Sequence, residues 1–336
     1  MAVYVFAFVS STALLYFGSK KYSNFVWPAV FLILFIIPAI RWYVGTDFRN
    51  YHLQFITETY RYWEKGYVLL CDIALALSED SVGIFALTSF VTTFFFIAAI
   101  RSKSVNPAFS IALYMVMLYY FTFFNLVRQG IAVSLTTYSL VYAERKKTYS
   151  VILMMIAVMF HYSAIIVLLL SPFILSQHTR TGYWVSFLFI PVICLVSYWL
   201  SREFIVNSPY ARYMDEIVYR LNWPQILKEF VLCVLCIRFF DRIRSKTPIA
   251  GYLINLQFIN LFLYCLIGIP YINRITVYFK ISQILLFPAL FACIRGKEIR
   301  SFCSFAFILV WFALCFYYIG IRGYIGVVPY RTVFSR

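Results

Sequence analysis

Thr148 to Leu175 reads TYSVILMMIAVMFHYSAIIVLLLSPFIL, and how this stretch divides decides the fold. It is long and apolar enough for one tilted membrane helix, since about 20 apolar residues cross a bilayer. Yet His161, Tyr162 and Ser163 stand at its centre, and an ionisable group at membrane depth is costly unless it marks a turn or a site. The basic residues on either side decide the matter. Arg145, Lys146 and Lys147 precede the stretch, while Arg242, Arg244 and Lys246 follow two further apolar spans, 183–200 and 225–240. Loops rich in Lys and Arg stay cytoplasmic. Those two spans already return the chain to its starting side, so 148–175 must add two crossings or none. The pattern predicts a helical hairpin, complete or re-entrant, turning near His161.

The same rule applied to the whole chain gives spans 2–18, 25–40, 83–100, 107–123, 128–143, 148–160, 161–175, 183–200, 225–240, 248–268, 273–294 and 301–319. Lys20/Lys21, Arg101/Lys103 and Arg295/Lys297/Arg300 join the cytoplasmic set, and both termini are expected outside. The outer face then receives 41–82, 124–127, the His161 turn, 201–224, 269–272 and the tail from Gly320. Within 41–82, Tyr67–Leu77 is apolar but too short to cross, so it is expected at the interface or dipping in partway. Segment 201–224 reads as a small amphipathic outer helix. No cleavable signal peptide is expected, because Lys20 and Lys21 follow the first apolar span rather than precede it. The fold class is therefore all-α, a polytopic integral membrane bundle of about 12 transmembrane helices, some short or re-entrant, in one domain covering 1–336.

Composition agrees. The chain is 63% hydrophobic and only 12% charged, where a soluble domain carries about a quarter charged residues. The net charge of +16 is spread through loops rather than gathered on a separate basic domain, which speaks against nucleic acid and for membrane orientation with an anionic lipid or phosphate substrate. Cys233 and Cys236 have metal-ligand spacing, but Val234 and Leu235 between them continue an apolar helix and no second pair lies near. His52, His161 and His178 are scattered. Neither a metal nor a cofactor is expected.

Four polar clusters interrupt the apolar sequence, all on the expected outer face. Asn125, Arg128 and Gln129 open one span, and Tyr271, Asn273 and Arg274 open another. Free N–H groups, the helix dipole and a guanidinium at a helix start favour phosphate, so Arg128 and Arg274 together suit a pair of phosphates. Each arginine also fits a simple role as an interfacial anchor. His161 with Ser163 reads either as a base or phosphate donor at a turn or as a cap for that turn. Asp47 and Arg49 form either an ion pair within the loop or a site in which the carboxylate meets sugar hydroxyls. Tyr51 and Trp63 offer aromatic faces nearby, with Glu64 beside them.

In this order and spacing, Gly45-Thr46-Asp47-Phe48-Arg49-Asn50-Tyr51, Glu64-Lys65-Gly66-Tyr67, Asn125-Leu126-Val127-Arg128-Gln129-Gly130, Phe160-His161-Tyr162-Ser163-Ala164 and Asn273-Arg274-Ile275 resemble the EpsG family of Wzy-type polysaccharide polymerases. Val328-Pro329-Tyr330 adds to the likeness. Phe48, where tyrosine is more usual, and Gly130, in place of a larger residue, are departures that remove no charge. The resemblance implies a metal-independent glycosyltransferase of the bacterial inner membrane. Such an enzyme joins undecaprenyl-pyrophosphate-linked oligosaccharides of O-antigen, capsule or exopolysaccharide at the outer face. It also implies a flippase and a chain-length regulator of the same pathway as partners, besides membrane lipids. On this reading Arg128, Gln129 and Arg274 hold pyrophosphate. Asp47 is the first candidate base and His161 the second, with Arg49, Tyr51, Glu64, Asn125, Ser163, Tyr271 and Asn273 in support. Three rivals remain. A flippase would carry charge along a central cavity, another polyprenyl glycosyltransferase would need an acidic pair near Asp47, and an acyltransferase would not explain paired arginines.

Overall fold

The computed structural model describes residues 1–18, 23–206, 223–266 and 272–335. The first half contains α1 (Ala2–Phe17), α2 (Ser23–Ala39), α3 (Phe48–Ile56), α4 (Lys65–Leu77), α5 (Val82–Lys103), α6 (Pro107–Val116), α7 (Tyr119–Asn125), α8 (Val127–Ala143) and α9 (Lys147–Phe160). After the His161 turn come α10 (Ile165–Leu169), α11 (Ser171–Ile174), α12 (Arg180–Ser186), α13 (Phe189–Val206), α14 (Trp223–Arg238), α15 (Phe240–Lys246), α16 (Ala250–Cys265), α17 (Ile272–Lys280), α18 (Gln283–Phe291) and α19 (Lys297–Phe316). Among the described residues the sole extended pairing is an isolated bridge between Arg41 and Thr332. The chain is an all-helical membrane protein.

Twelve full-length spans are not what the described residues form. Val82–Lys103 and Lys297–Ile321 are long and apolar enough to cross alone, and two bent pairs, α6 with α7 (48°) and α17 with α18 (42°), raise the number to four. The remaining apolar helices have 10–17 residues. The cause is local backbone that hydropathy does not register. Leu118 adopts a left-handed φ of 70° and separates α6 from α7. The expected span 161–175 is replaced by a 3₁₀ turn at Tyr162–Ala164 and two short helices, the second opening with Pro172 near its start. The break at His161 stands where expected: α9 ends at Phe160 and His161 is extended. The outer helix expected in 201–224 falls mostly outside the described residues; 201–206 continue α13.

The helices have two distinct ends. α5 starts beside Arg41, whose guanidinium lies 4.9 Å over the Phe85 ring, and 22 residues later reaches Lys103, a run of about 33 Å. Lys103 there pairs at 3.0 Å with Glu144, just past the end of α8, and Tyr252 near the start of α16 bonds the Ala143 carbonyl at 3.3 Å. The basic residues 101–103, 145–147 and 242–246 thus gather at one end. The polar clusters of 45–47, 64, 125–129 and 161–163 lie at the other.

Polar ties hold the middle together, as expected where lipid removes any hydrophobic gain from helix association. The Glu229 carboxylate of α14 accepts from Gln257 Nε2 of α16 at 2.8 Å and from Gln283 Nε2 of α18 at 2.7 Å. Asn255 Nδ2 donates at 3.0 Å to the carbonyls of Phe173, Ile174 and Ser176, satisfying groups that a short helix leaves open at its end. Cys233 and Cys236 are buried in α14, where they pack as the apolar intervening residues suggest.

Candidate active site

Glu64 is the hub. It precedes α4, and its side chain is only 2% exposed. One carboxylate oxygen, Oε2, accepts from Arg128 Nη1 in the first turn of α8. The other, Oε1, accepts from His161 Nδ1 at 2.9 Å and from the Tyr162 amide at 3.2 Å, both just past α9. Three elements far apart in sequence therefore meet on one carboxylate. Gly66 makes the approach feasible: a Cβ there would lie 2.8 Å from the Met159 carbonyl oxygen, so any side chain would push α4 away from the end of α9.

Burial by itself raises the Glu64 carboxyl, but the hydrogen bonds from His161 and a backbone amide, together with Arg128, outweigh it and hold it down at about 2. Glu64 is thus ionised and can only accept. Its neighbour His161 must then donate from Nδ1, and a neutral imidazole so held carries its lone pair on Nε2. The same arrangement, a carboxylate fixing the tautomer and tilt of a histidine, is how hydrolytic triads prepare a base.

Arg128 is not a loosely snorkelling cation. Its guanidinium lies 3.7 Å over the Trp63 ring and near enough to Tyr51 to favour ionisation of the phenol, and its Nε is buried with no partner among the described residues. Gln129, also buried, donates from Nε2 to the Arg274 carbonyl at 2.5 Å, tying the first turn of α17 to that of α8. The Arg274 side chain is exposed. Gly130 lets Phe123 pack close, its ring 3.1 Å from where a Cβ would stand. Ser163 Oγ lies 3.1 Å from the Tyr278 hydroxyl, which fastens the His161 turn to α17.

A second, outer group surrounds Asp47. Asn125 Nδ2 donates to the Ile325 carbonyl at 2.9 Å, and its Oδ1 sits 3.5 Å from the Asp47 amide. Asn125 therefore fastens the 45–47 loop to the chain's tail. Gly45 has φ +99°, and a Cβ there would be 2.5 Å from Asn125 Oδ1, so only glycine suits the position. The Asp47 carboxylate accepts from Thr46 Oγ1 at 3.3 Å and is near enough to Tyr51 to oppose ionisation of its phenol. Arg49 and Asn273 are exposed. Tyr271 lies outside the described residues.

Sequence reasoning ranked Glu64 as support and passed over Arg41 and Tyr278. Arg41 is 2% exposed, lies 4.9 Å over both Phe85 and Phe124, and has no carboxylate partner among the described residues. It borders a cavity of about 20 Å³ lined by Thr88, Thr92 and Tyr120, room for about one water. The signal for it was in the sequence: an arginine directly after the apolar run of α2.

Among the described residues no three His, Cys, Asp or Glu side chains gather as a metal site would require. No match to a curated protein or a solved structure was found. The family model described as EpsG family matches residues 24–332, which takes in every charged residue of the clusters just described. The chain belongs to the EpsG family, whose members are Wzy-like polysaccharide polymerases.

Proposed function

We propose that the protein polymerises undecaprenyl-pyrophosphate-linked oligosaccharide repeat units at the outer face of the bacterial inner membrane, without a metal, to build O-antigen, capsule or exopolysaccharide. The observation that carries this reading is the shared carboxylate of Glu64, which fixes a cation and a prospective base side by side. Arg128 faces the donor pyrophosphate and Arg274 supports it. Positive charge fixed in advance stabilises the negative charge that develops as this group leaves. The acceptor hydroxyl oxygen bonds to the donor's anomeric carbon, and the bond from that carbon to the pyrophosphate oxygen breaks. The electron pair leaves with the pyrophosphate and the hydroxyl proton passes to His161 Nε2. Asp47, on the outer loop and with no histidine or arginine orienting it among the described residues, serves the acceptor glycan by hydrogen bonding instead of taking its proton. The basic ends of α5, α8 and α15 face the cytoplasm, and the tail lies outside.

Proteoliposomes holding the purified protein and a lipid-pyrophosphate-linked repeat unit test the reading. A ladder of polymer with release of the polyprenyl pyrophosphate is expected. Intact substrate after prolonged incubation, with folded protein present, would reject it. One observation favours a transport reading: Glu229, Gln257 and Gln283 lie buried mid-bundle beside the break between α17 and α18, a setting that transporters use for sites. The same vesicles distinguish the two, since a flippase would move the lipid-linked unit across the bilayer without lengthening it.

A further inference from the structure

At the end opposite the candidate active site, a trench of about 840 Å³ opens between α1, α6, α18 and α19. Its volume falls within the range of about 300–1,000 Å³ typical of sites for whole small molecules, and its walls are apolar, with Phe8, Phe109 and Phe305 among them. Among the described residues three cations border it, Lys246 at the end of α15 and Lys297 and Arg300 on the first turn of α19, and no carboxylate does. Asn106, Ser301 and Ser304 add hydrogen-bonding groups in the same lining. Apolar walls take hydrocarbon, and a row of unopposed cations takes an anion. One kind of molecule at a membrane carries both.

We propose that this trench binds an anionic glycerophospholipid of the leaflet that the basic end faces, with an acyl chain along Phe8, Phe109 and Phe305 and the headgroup phosphate among Lys246, Lys297 and Arg300. Its charge complements such a headgroup, and its volume suits a lipid chain. This binding is independent of the chemistry at Glu64, which lies at the other end of the bundle. Each cation near an anionic headgroup strengthens binding by about fivefold, so the three together give a preference on the order of a hundredfold over a zwitterionic lipid.

Delipidated full-length protein in detergent, titrated with phosphatidylglycerol or phosphatidylcholine and read by native mass spectrometry, tests the proposal. Phosphatidylglycerol should bind at least tenfold more tightly than phosphatidylcholine. The triple variant Lys246→Gln, Lys297→Gln, Arg300→Gln should lose that preference. A control variant, Arg145→Gln, Lys146→Gln, Lys147→Gln, removes three charges at the same end and should keep it. Should the first variant fold poorly, Ser304→Trp fills the trench while keeping its cations and should weaken both lipids. Equal binding of the two lipids by wild type overturns the proposal, whether the trench is then occupied by any acyl chain, a partner helix or a second copy. So does a preference that survives both trench variants or that glycerol phosphate alone reproduces.

Discussion

His161 Nδ1 donates to Glu64 Oε1 across 2.9 Å although 97 residues separate the two. The bond joins the start of α4 to the end of α9, and the same carboxylate reaches Arg128 at the start of α8. A cation for the leaving group and an oriented imidazole are thereby fixed by one acid. Removing that acid leaves a buried guanidinium with no counter-charge, which costs more than the pair itself contributes.

The pH dependence follows from Glu64. Its carboxyl is held at about 2 in the folded chain against an ordinary 4.5. A depressed pKa gives stability that is complete above the unfolded value and is lost as pH falls toward the folded one. The gap in melting temperature between wild type and Glu64→Gln should therefore stay constant from pH 8 to about 5 and shrink only below that. A gap that closes by pH 6 would show that the carboxylate is not held low.

Replacing Arg128 with lysine keeps the charge but loses the planar fork that reaches Glu64 and sits over the Trp63 ring. Polymerisation should fall at least tenfold, about 1.4 kcal/mol in the barrier. Rates equal to wild type in both Arg128→Lys and Arg128→Ala would reduce the residue to an anchor.

Gly66 brings α4 close against the end of α9. Gly66→Ala sets a Cβ 2.8 Å from the Met159 carbonyl oxygen, and overpacking of this kind costs about 1–3 kcal/mol. A lowered melting temperature together with reduced polymerisation is expected. An unchanged melting temperature would mean that the helices shift freely and that the Glu64–His161 bond does not depend on their spacing.

Part of the candidate site was legible because charged residues stand out in apolar sequence. Arg128, His161 and Arg274 interrupt apolar runs, and the turn at His161 followed from counting basic loops. The central place of Glu64 was not legible, since nothing local records a pairing across 64 and 97 residues. Gly66 two positions later was the available hint of a close approach. The count of twelve full-length spans finds no support among the described residues, because hydropathy windows do not see a left-handed Leu118 or the short helices around Pro172. Glu229 was hidden in a segment counted as an ordinary crossing, where an acid within an apolar helix is itself the signal.

Orientation has its own test. The tail lies over the 40–46 loop, with the Gly45 amide 2.8 Å from the Gly326 carbonyl and the Trp42 amide 3.0 Å from that of Arg331. It is therefore at the end away from the basic clusters, the end that the positive-inside rule predicts to lie outside. A reporter fused after Arg336 should be active only in its outward-sensing form. Activity solely as a cytoplasmic reporter would invert the topology.

In the proposed mechanism His161, oriented by Glu64, takes the acceptor's proton. The most direct measurement compares initial polymerisation rates of His161→Ala and Asp47→Asn with wild type in proteoliposomes, alongside binding of the lipid-linked donor. His161→Ala should lose at least about 100-fold in rate, the range for a missing general base, while still binding donor, and Asp47→Asn should stay within about tenfold of wild type. A wild-type rate from His161→Ala, with the larger loss in Asp47→Asn, would contradict this mechanism and move the base to Asp47.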